Sequence, residues 1–170
     1  MHKKISLLLL FWGLLVPAFA QNIGQTLPDV KVKNLDGVLV SAKTFVNPDG
    51  AALISFWATW CKPCINELNN VNDNLEDWLK EANIKVYAIS IDDSRSVGRV
   101  KSFVKGKKWA FENFTDENAD LKRALNVNNV PHAFIVDKNG KILWQHTSYN
   151  PGDEEEYFEV LKKVISGELK

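Results

Sequence analysis

The stretch Ala51-Ala52-Leu53-Ile54-Ser55-Phe56-Trp57-Ala58-Thr59-Trp60-Cys61-Lys62-Pro63-Cys64 decides the reading of this chain, because it runs from an apolar strand straight into two cysteines separated by two residues. They are the only cysteines in 170 residues. A disulfide within the chain must therefore join Cys61 to Cys64. Closing so short a loop restricts the unfolded chain little, so the pair points to chemistry rather than to stabilisation.

Outward from this stretch, the near-continuous apolar run Ala51 to Trp57 is the pattern of a central strand covered on both faces, entered through the turn Asn47-Pro48-Asp49-Gly50. After it, Cys64, Ile65, Leu68, Val71, Leu75, Trp78, Leu79 and Ala82 recur at three- and four-residue spacing. That predicts a long amphipathic helix from Cys64 to Ala82, with Glu67, Asp73, Glu76 and Lys80 outside the apolar stripe. Ile84 to Ile91 reads as a second buried strand and Ser96 to Lys105 as a helix, which establishes a βαβ alternation. Further on, Trp109 to Phe114 reads as a short strand, Glu117 to Leu125 as a helix, and Val130 to Val136 as a strand with Pro131 near its start, where a strand tolerates it. The turn Asp137-Lys138-Asn139-Gly140 joins that strand to Lys141–His146 as a hairpin. A last helix from Asp153 to Ile165 presents Phe158, Leu161, Val164 and Ile165 on one face. Upstream, Val30-Lys31-Val32 and Val38-Leu39-Val40 flank Asn34-Leu35-Asp36-Gly37 as an N-terminal hairpin. The class is α/β, a central sheet flanked by helices.

Length and a 45% apolar composition suit one domain with enough core to need no structural disulfide or metal. Residues 1–20 read as a signal peptide: His2, Lys3 and Lys4, an apolar run from Ile5 to Val16, then Ala18-Phe19-Ala20, with cleavage after Ala20 and a domain over 21–170. The apolar run of about a dozen residues is shorter than the roughly 20 that span a bilayer, and no cysteine near the site marks a lipoprotein. The remainder then carries nineteen basic against twenty-one acidic side chains. That mild acidity argues against nucleic acid as a partner. Export places the chain in the periplasm or otherwise outside the cytoplasm, where thiols are not held reduced.

A cysteine reacts as its thiolate, and the N–H groups at a helix N-terminus favour that charge. Cys61 holds the better position, with Lys62 beside it and Pro63 in the first turn, where its missing N–H costs little. Cys64, one turn further along the apolar stripe, is expected to be more buried and less acidic, suited to resolving a mixed disulfide. Other readings of the pair stay open. Two buried core cysteines would need no chemistry. A structural zinc would need Cys61, Cys64, His132 and His146 to converge, and copper(I) would need only the two thiolates and one imidazole. A thiol peroxidase would need its cysteine in a threonine-containing loop with a supporting arginine; Thr59 is present, but Arg95, Arg99 and Arg123 follow no recognisable pattern.

Phe56-Trp57-Ala58-Thr59-Trp60-Cys61-Lys62-Pro63-Cys64 resembles the active-site segment of the thioredoxin superfamily, and specifically of the TlpA/ResA-like extracytoplasmic thiol:disulfide oxidoreductases. The likeness covers roughly Ile23 to Lys170, including the N-terminal hairpin, an inserted strand and helix, and Asn129-Val130-Pro131-His132-Ala133-Phe134-Ile135-Val136-Asp137 followed by Gly140. It implies a thioredoxin-like fold with a central mixed sheet, Cys61 as nucleophile, Cys64 as resolving thiol, and Pro131 as a cis-proline facing the disulfide. Val130 would then offer a backbone edge to an extended client segment, with Trp60, Lys62 and Pro63 completing the contact. The resemblance gives Glu67 a part in tuning the cysteines and moving protons; a solvated helix glutamate is the alternative. Where cytoplasmic thioredoxins carry a buried aspartate before the motif, this chain has Ser55.

The resemblance implies a monomeric, secreted oxidoreductase that needs no dissociable cofactor and no metal. It would take electrons from a membrane thiol carrier to reduce disulfides in exported proteins, apocytochromes c among them; a copper(I) metallochaperone is the alternative. Trp57 and Trp60 read equally as docking rim or core. His132 has a place near Cys61 or none in the chemistry, while His146, Asp92 and Asp93 read as solvated loop or strand residues.

Overall fold

Period-two alternation divides the apolar stretch between the two faces of a sheet, and in the computed structural model, which describes residues 22–170, both faces are covered. The leader and the cleavage position after Ala20 lie outside the described residues. Eleven elements follow in order: β1 (Lys31–Asn34), β2 (Leu39–Ser41), β3 (Ala51–Trp57), α1 (Lys62–Glu81), β4 (Ile84–Ser90), α2 (Val100–Lys107), β5 (Glu112–Thr115), α3 (Asp120–Ala124), β6 (His132–Val136), β7 (Ile142–Thr147) and α4 (Asp153–Ser166). The strands form one sheet in the order β2-β1-β5-β4-β3-β6-β7. β3, β4 and β5 are parallel, linked through α1 and α2, and the remaining pairings are antiparallel. This is the mixed, helix-flanked thioredoxin-like sheet that the family resemblance implies, with the N-terminal hairpin and the inserted β5–α3 segment in place.

β3 is central and wholly buried. Ala52, Ile54 and Phe56 pack with Phe45, Tyr87, Phe114 and Phe134 on one face. Ala51 and Leu53 pack on the other against Val71, Leu75 and Trp78 of α1 and Tyr157, Phe158 and Leu161 of α4. Burying each such side chain contributes roughly 1.5–3 kcal/mol. The ring of Trp78 stacks on Phe158 with centroids 5.1 Å apart, tying α1 to α4. At the entry to β3, a Cβ on Gly50 would lie 1.8 Å from the Asn83 carbonyl oxygen, so this close approach of the chain to the start of β4 requires glycine.

Several elements depart from the sequence reading. Glu67, expected outside the α1 stripe, is fully buried, whereas Leu79 and Ile165, expected on apolar faces, are exposed. The segment read as a helix from Ser96 begins as a single 3-10 turn over Val97–Arg99. Only Glu112–Thr115 of the next segment pairs as strand, because Trp109 instead turns into a cluster with Trp57 and donates its Nε1–H to Asn69 Oδ1 at 3.1 Å. The helix read from Glu117 forms only over Asp120–Ala124. Asp116 holds its start by accepting from the N–H groups of Asp120, Leu121 and Lys122. Among the described residues no helix is long and apolar enough to cross a membrane.

Candidate active site

β3 ends at Trp57 and α1 begins at Lys62, so the four intervening residues carry the chain from the sheet to the helix N-terminus. Cys61 is the N-cap of α1: its backbone is extended and its Sγ accepts from the Cys64 N–H at 3.3 Å. Pro63 lies in the first turn, as expected. The two sulfurs are joined in a disulfide; Cys61 retains a sliver of exposure and Cys64 none. The order of access expected from the helical stripe is therefore present. Lys62 and Pro63 are exposed beside the pair.

The Val130–Pro131 peptide bond is cis. β6 pairs with β3 through Phe56 and His132, so Pro131 sits at the same end of the sheet as the dithiol. Val130 packs against the cluster formed by Trp57, Ala58, Cys61, Cys64 and Leu68. Cys61, Cys64 and Val130 thus come together. His132 does not join them. Its register partner is Phe56 and its ring lies 4.5 Å from that of Phe134, on the face opposite Trp57 and the cysteines. Nδ1 of His132 lies 3.1 Å from Thr147 Oγ1, and burial pushes its pKa down to about 4. Among the described residues no group of three or more His, Cys, Asp and Glu side chains is placed to hold a metal ion.

The two tryptophans divide the roles between them. Trp57 is core, fully buried against Trp109 and Phe103, while Trp60 is 62% exposed beside Cys61. Trp60 lines an open cleft of about 390 Å³ with Ile91, Asp93, Arg95, Ser96 and Arg99.

Beneath the pair lies a buried carboxylate. Glu67, one turn beyond Cys64, accepts from Ser55 Oγ at 3.0 Å and from Tyr157 Oη at 2.9 Å, and all three side chains have no exposure. Desolvation raises its pKa to about 7; the two hydroxyls oppose the rise, and the nearby charges of Asp153 and Glu154 add to it. Burial and the neighbouring Glu67 push the Tyr157 phenol far up, so it remains a neutral donor. Ser55, the lone polar residue of β3, is explained by this contact.

A second buried carboxylate corrects the sequence reading. Asp92, read as solvated, has no exposure and binds the loop before Cys61 from the end of β4. Its two oxygens accept from the Thr59 N–H at 2.8 Å and the Thr59 hydroxyl at 2.6 Å, and Ser90 Oγ donates at 2.8 Å. Burial pushes the Asp92 pKa up, but the hydrogen bonds from Thr59 and Ser90 outweigh it and leave the carboxyl below its ordinary value. His146 is likewise half-buried rather than solvated, with Nε2 3.3 Å from Asp153 and its ring stacked on Trp144. Asp93 keeps partial exposure and holds Arg95.

Residues 23–145 match the AhpC/TSA family. The chain belongs to that family. Thiol-disulfide oxidoreductase ResA of Bacillus thuringiensis subsp. konkukian is 28% identical over 155 residues, spanning 91% of this chain and 86% of the relative. A thioredoxin-like protein from Porphyromonas gingivalis, known from its solution structure, is 38% identical with a TM-score of 0.73, covering 86% of this chain and 95% of that one. The fold is shared with a Chlorobium tepidum protein assigned as thiol:disulfide interchange protein DsbE, at 24% identity, a TM-score of 0.72, and 84% and 97% coverage. The chain is a ResA-like member of the thioredoxin superfamily and an oxidoreductase.

Two residues packed around the dithiol segment escaped the sequence reading, Tyr157 and Asp92. Tyr157 stands four residues before Leu161 on the apolar face of α4, a position that required a buried ring and hence a partner for its hydroxyl. Asp92 carries no periodic signal. Only the nearby Thr59 explains it, and that contact joins residues 33 apart in sequence.

Proposed function

We propose that this ResA-like enzyme reduces disulfides of exported client proteins through the Cys61/Cys64 dithiol, receiving its electrons from a membrane thiol carrier. The observation that carries the proposal is the N-cap position of Cys61, whose sulfur already accepts a backbone N–H. On reduction that N–H and the helix terminus favour the Cys61 thiolate. The thiolate attacks one sulfur of a client disulfide; a Cys61–client bond forms, and the other client sulfur leaves as a thiolate that takes a proton from water. Cys64, deprotonated, then attacks Cys61 Sγ. The internal disulfide re-forms, the second client sulfur is released, and two electrons have passed to the client.

Cys64 lies in an apolar environment that disfavours its thiolate. Glu67, one turn away with a pKa near 7, is the proton acceptor we assign to the resolving step. Pro131 and Val130, with Trp60, Lys62 and Pro63, form the client contact in this reading. Residues 1–20 act as a cleaved signal and 21–170 as the working, monomeric domain outside the cytoplasm. Exported proteins, apocytochromes c awaiting haem attachment among them, are the clients. Thiol peroxidase chemistry fits less well, because the Thr59 hydroxyl is engaged by Asp92 rather than left for a peroxide. Copper(I) delivery fits less well too, since His132 faces away from the cysteines.

The test is a Cys64→Ser variant produced in the native host, which stops the reaction at the mixed disulfide. Exported proteins attached through Cys61 are the expected result. If no protein is trapped and the wild-type disulfide also fails to exchange with dithiothreitol, the proposal is wrong.

A further inference from the structure

Trp60 is held between two pinned residues. Thr59 is fixed by Asp92 through its N–H and its hydroxyl, and the Cys61 N–H donates to the Ala58 carbonyl at 3.0 Å. The indole is nevertheless 62% exposed. A large aromatic kept in water by a fixed backbone is a feature of contact surfaces rather than of loops that relax onto their own core. The cleft it lines runs along the segment after β4, whereas Pro131 precedes β6. β4 and β6 flank β3 on opposite sides, so this cleft lies on the other flank of the dithiol from the cis-proline edge.

The charge of the cleft is one-sided. Asp93 is its only carboxylate, and that group is already taken by Arg95, whose Nε and guanidinium nitrogen donate to it at 3.0 and 2.6 Å. Arg99 has no ion pair among the described residues and is exposed. Two of the chain's three arginines therefore line a cleft beside the nucleophile, and one of them is uncompensated. Trp and Arg are also the residue types that most often dominate binding at protein contacts.

We propose that this cleft is a second docking surface for the client, taking an acidic segment next to its disulfide, with an apolar side chain on Trp60 and a carboxylate at Arg99. The proposal rests on the oxidoreductase reading above. It adds a selection among clients: those carrying Asp or Glu beside the target cysteine are reduced faster.

The experiment uses the reduced protein and two synthetic peptides with the same internal disulfide and a neighbouring Leu, flanked by Asp-Glu in one and Lys-Lys in the other. Each rate constant is divided by that for 2-hydroxyethyl disulfide, which carries no charge. At low ionic strength the acidic peptide is expected to react on the order of fivefold faster than the basic one, with the preference shrinking in 0.15 M salt. Arg99→Glu is expected to invert the preference. Trp60→Ala is expected to slow both peptides relative to the small disulfide. The acidic-to-basic ratio is taken within each protein, so a change in the intrinsic reactivity of Cys61 cancels. Equal rates for the two peptides at low salt, or a ratio unmoved by Arg99→Glu, overturns the docking surface while leaving the oxidoreductase reading intact. No reaction with 2-hydroxyethyl disulfide overturns that reading and this proposal with it.

Discussion

Glu67 and Asp92 are both carboxylates without exposure, and they stand on two sides of the same redox loop, yet their proton affinities move in opposite directions. Burial raises both. Glu67 meets that cost with only two hydroxyl donors, Ser55 and Tyr157, and lies in the field of Asp153 and Glu154. Asp92 receives a backbone N–H and two hydroxyls within 2.8 Å, enough to keep the charge inside the protein. The shallower burial of the Asp92 carboxyl and its additional donor act together to keep its charge. One carboxylate becomes a group that exchanges a proton near neutral pH, and the other a permanent anchor for the loop that carries Cys61.

The largest effect expected from breaking this contrast is at Asp92. In Asp92→Ala the Thr59 N–H loses its partner and the Thr59–Trp60 loop loses its anchor. Stability at pH 7 should fall by roughly 3–4 kcal/mol, from the loss of several hydrogen bonds to a charged group. Urea unfolding of the oxidised protein measures it, and a loss under about 1 kcal/mol would show the clamp to be incidental. The sign of its pH dependence is that of a depressed carboxylate. The contribution is present above the unfolded value of 3.8 and is lost as pH falls through the lower folded value.

Glu67 should behave oppositely. Its folded pKa of about 7 lies above the unfolded 4.5, so the native state binds more protons between those values. Stability is then greatest below pH 4.5, declines by about 3 kcal/mol as pH rises to 7, and is flat for this group beyond. Glu67→Gln, compared with the wild type from pH 4 to 8, should lack that decline. Parallel curves for the two proteins would mean that Glu67 titrates as an ordinary carboxylate.

This pair of carboxylates also marks how far the sequence could be read. The βαβ crossovers and the placement of Cys61 at the start of α1 follow from Ala51–Trp57 and from the 64-68-71-75-78 spacing, because patterns local to one element encode them, whereas the mixed strand order rests on the family resemblance. Glu67 was legible by position: it is three residues after Cys64 and four before Val71, on the buried stripe. Its charge argues for the outside of the helix, and its position on the stripe wins. Ser55 gave a second hint as a polar residue in a buried strand, and the two explain one another only when α1 lies across β3. Tyr157 needs α4 to be placed as well. Asp92 depends on the ends of β3 and β4 lying side by side, and no spacing within one element reports that. The exposed Trp60 and buried Trp57 differ for a similar reason: Trp57 ends the strand and faces Trp109, while Trp60 follows the clamped turn.

The smallest expected effect sharpens the comparison most, because it changes donor number alone. Tyr157→Phe keeps the ring that meets Trp144 and His146 edge-on and removes one of the two hydroxyls on Glu67. When Glu67 is protonated little is lost, so the variant should differ from wild type by about 0.5 kcal/mol at pH 5. When Glu67 is ionised the missing donor was bonded to a charge, and the difference should grow to about 1.5 kcal/mol at pH 8. Since that hydroxyl opposes the rise in the Glu67 pKa, its removal moves the midpoint above 7 and carries the decline in stability to higher pH. Paired unfolding curves at pH 5 and 8 read both effects. A midpoint displaced downward, or equal losses at the two pH values, would mean that desolvation alone sets the proton affinity of Glu67, and the contrast with Asp92 would then need a cause other than donor count.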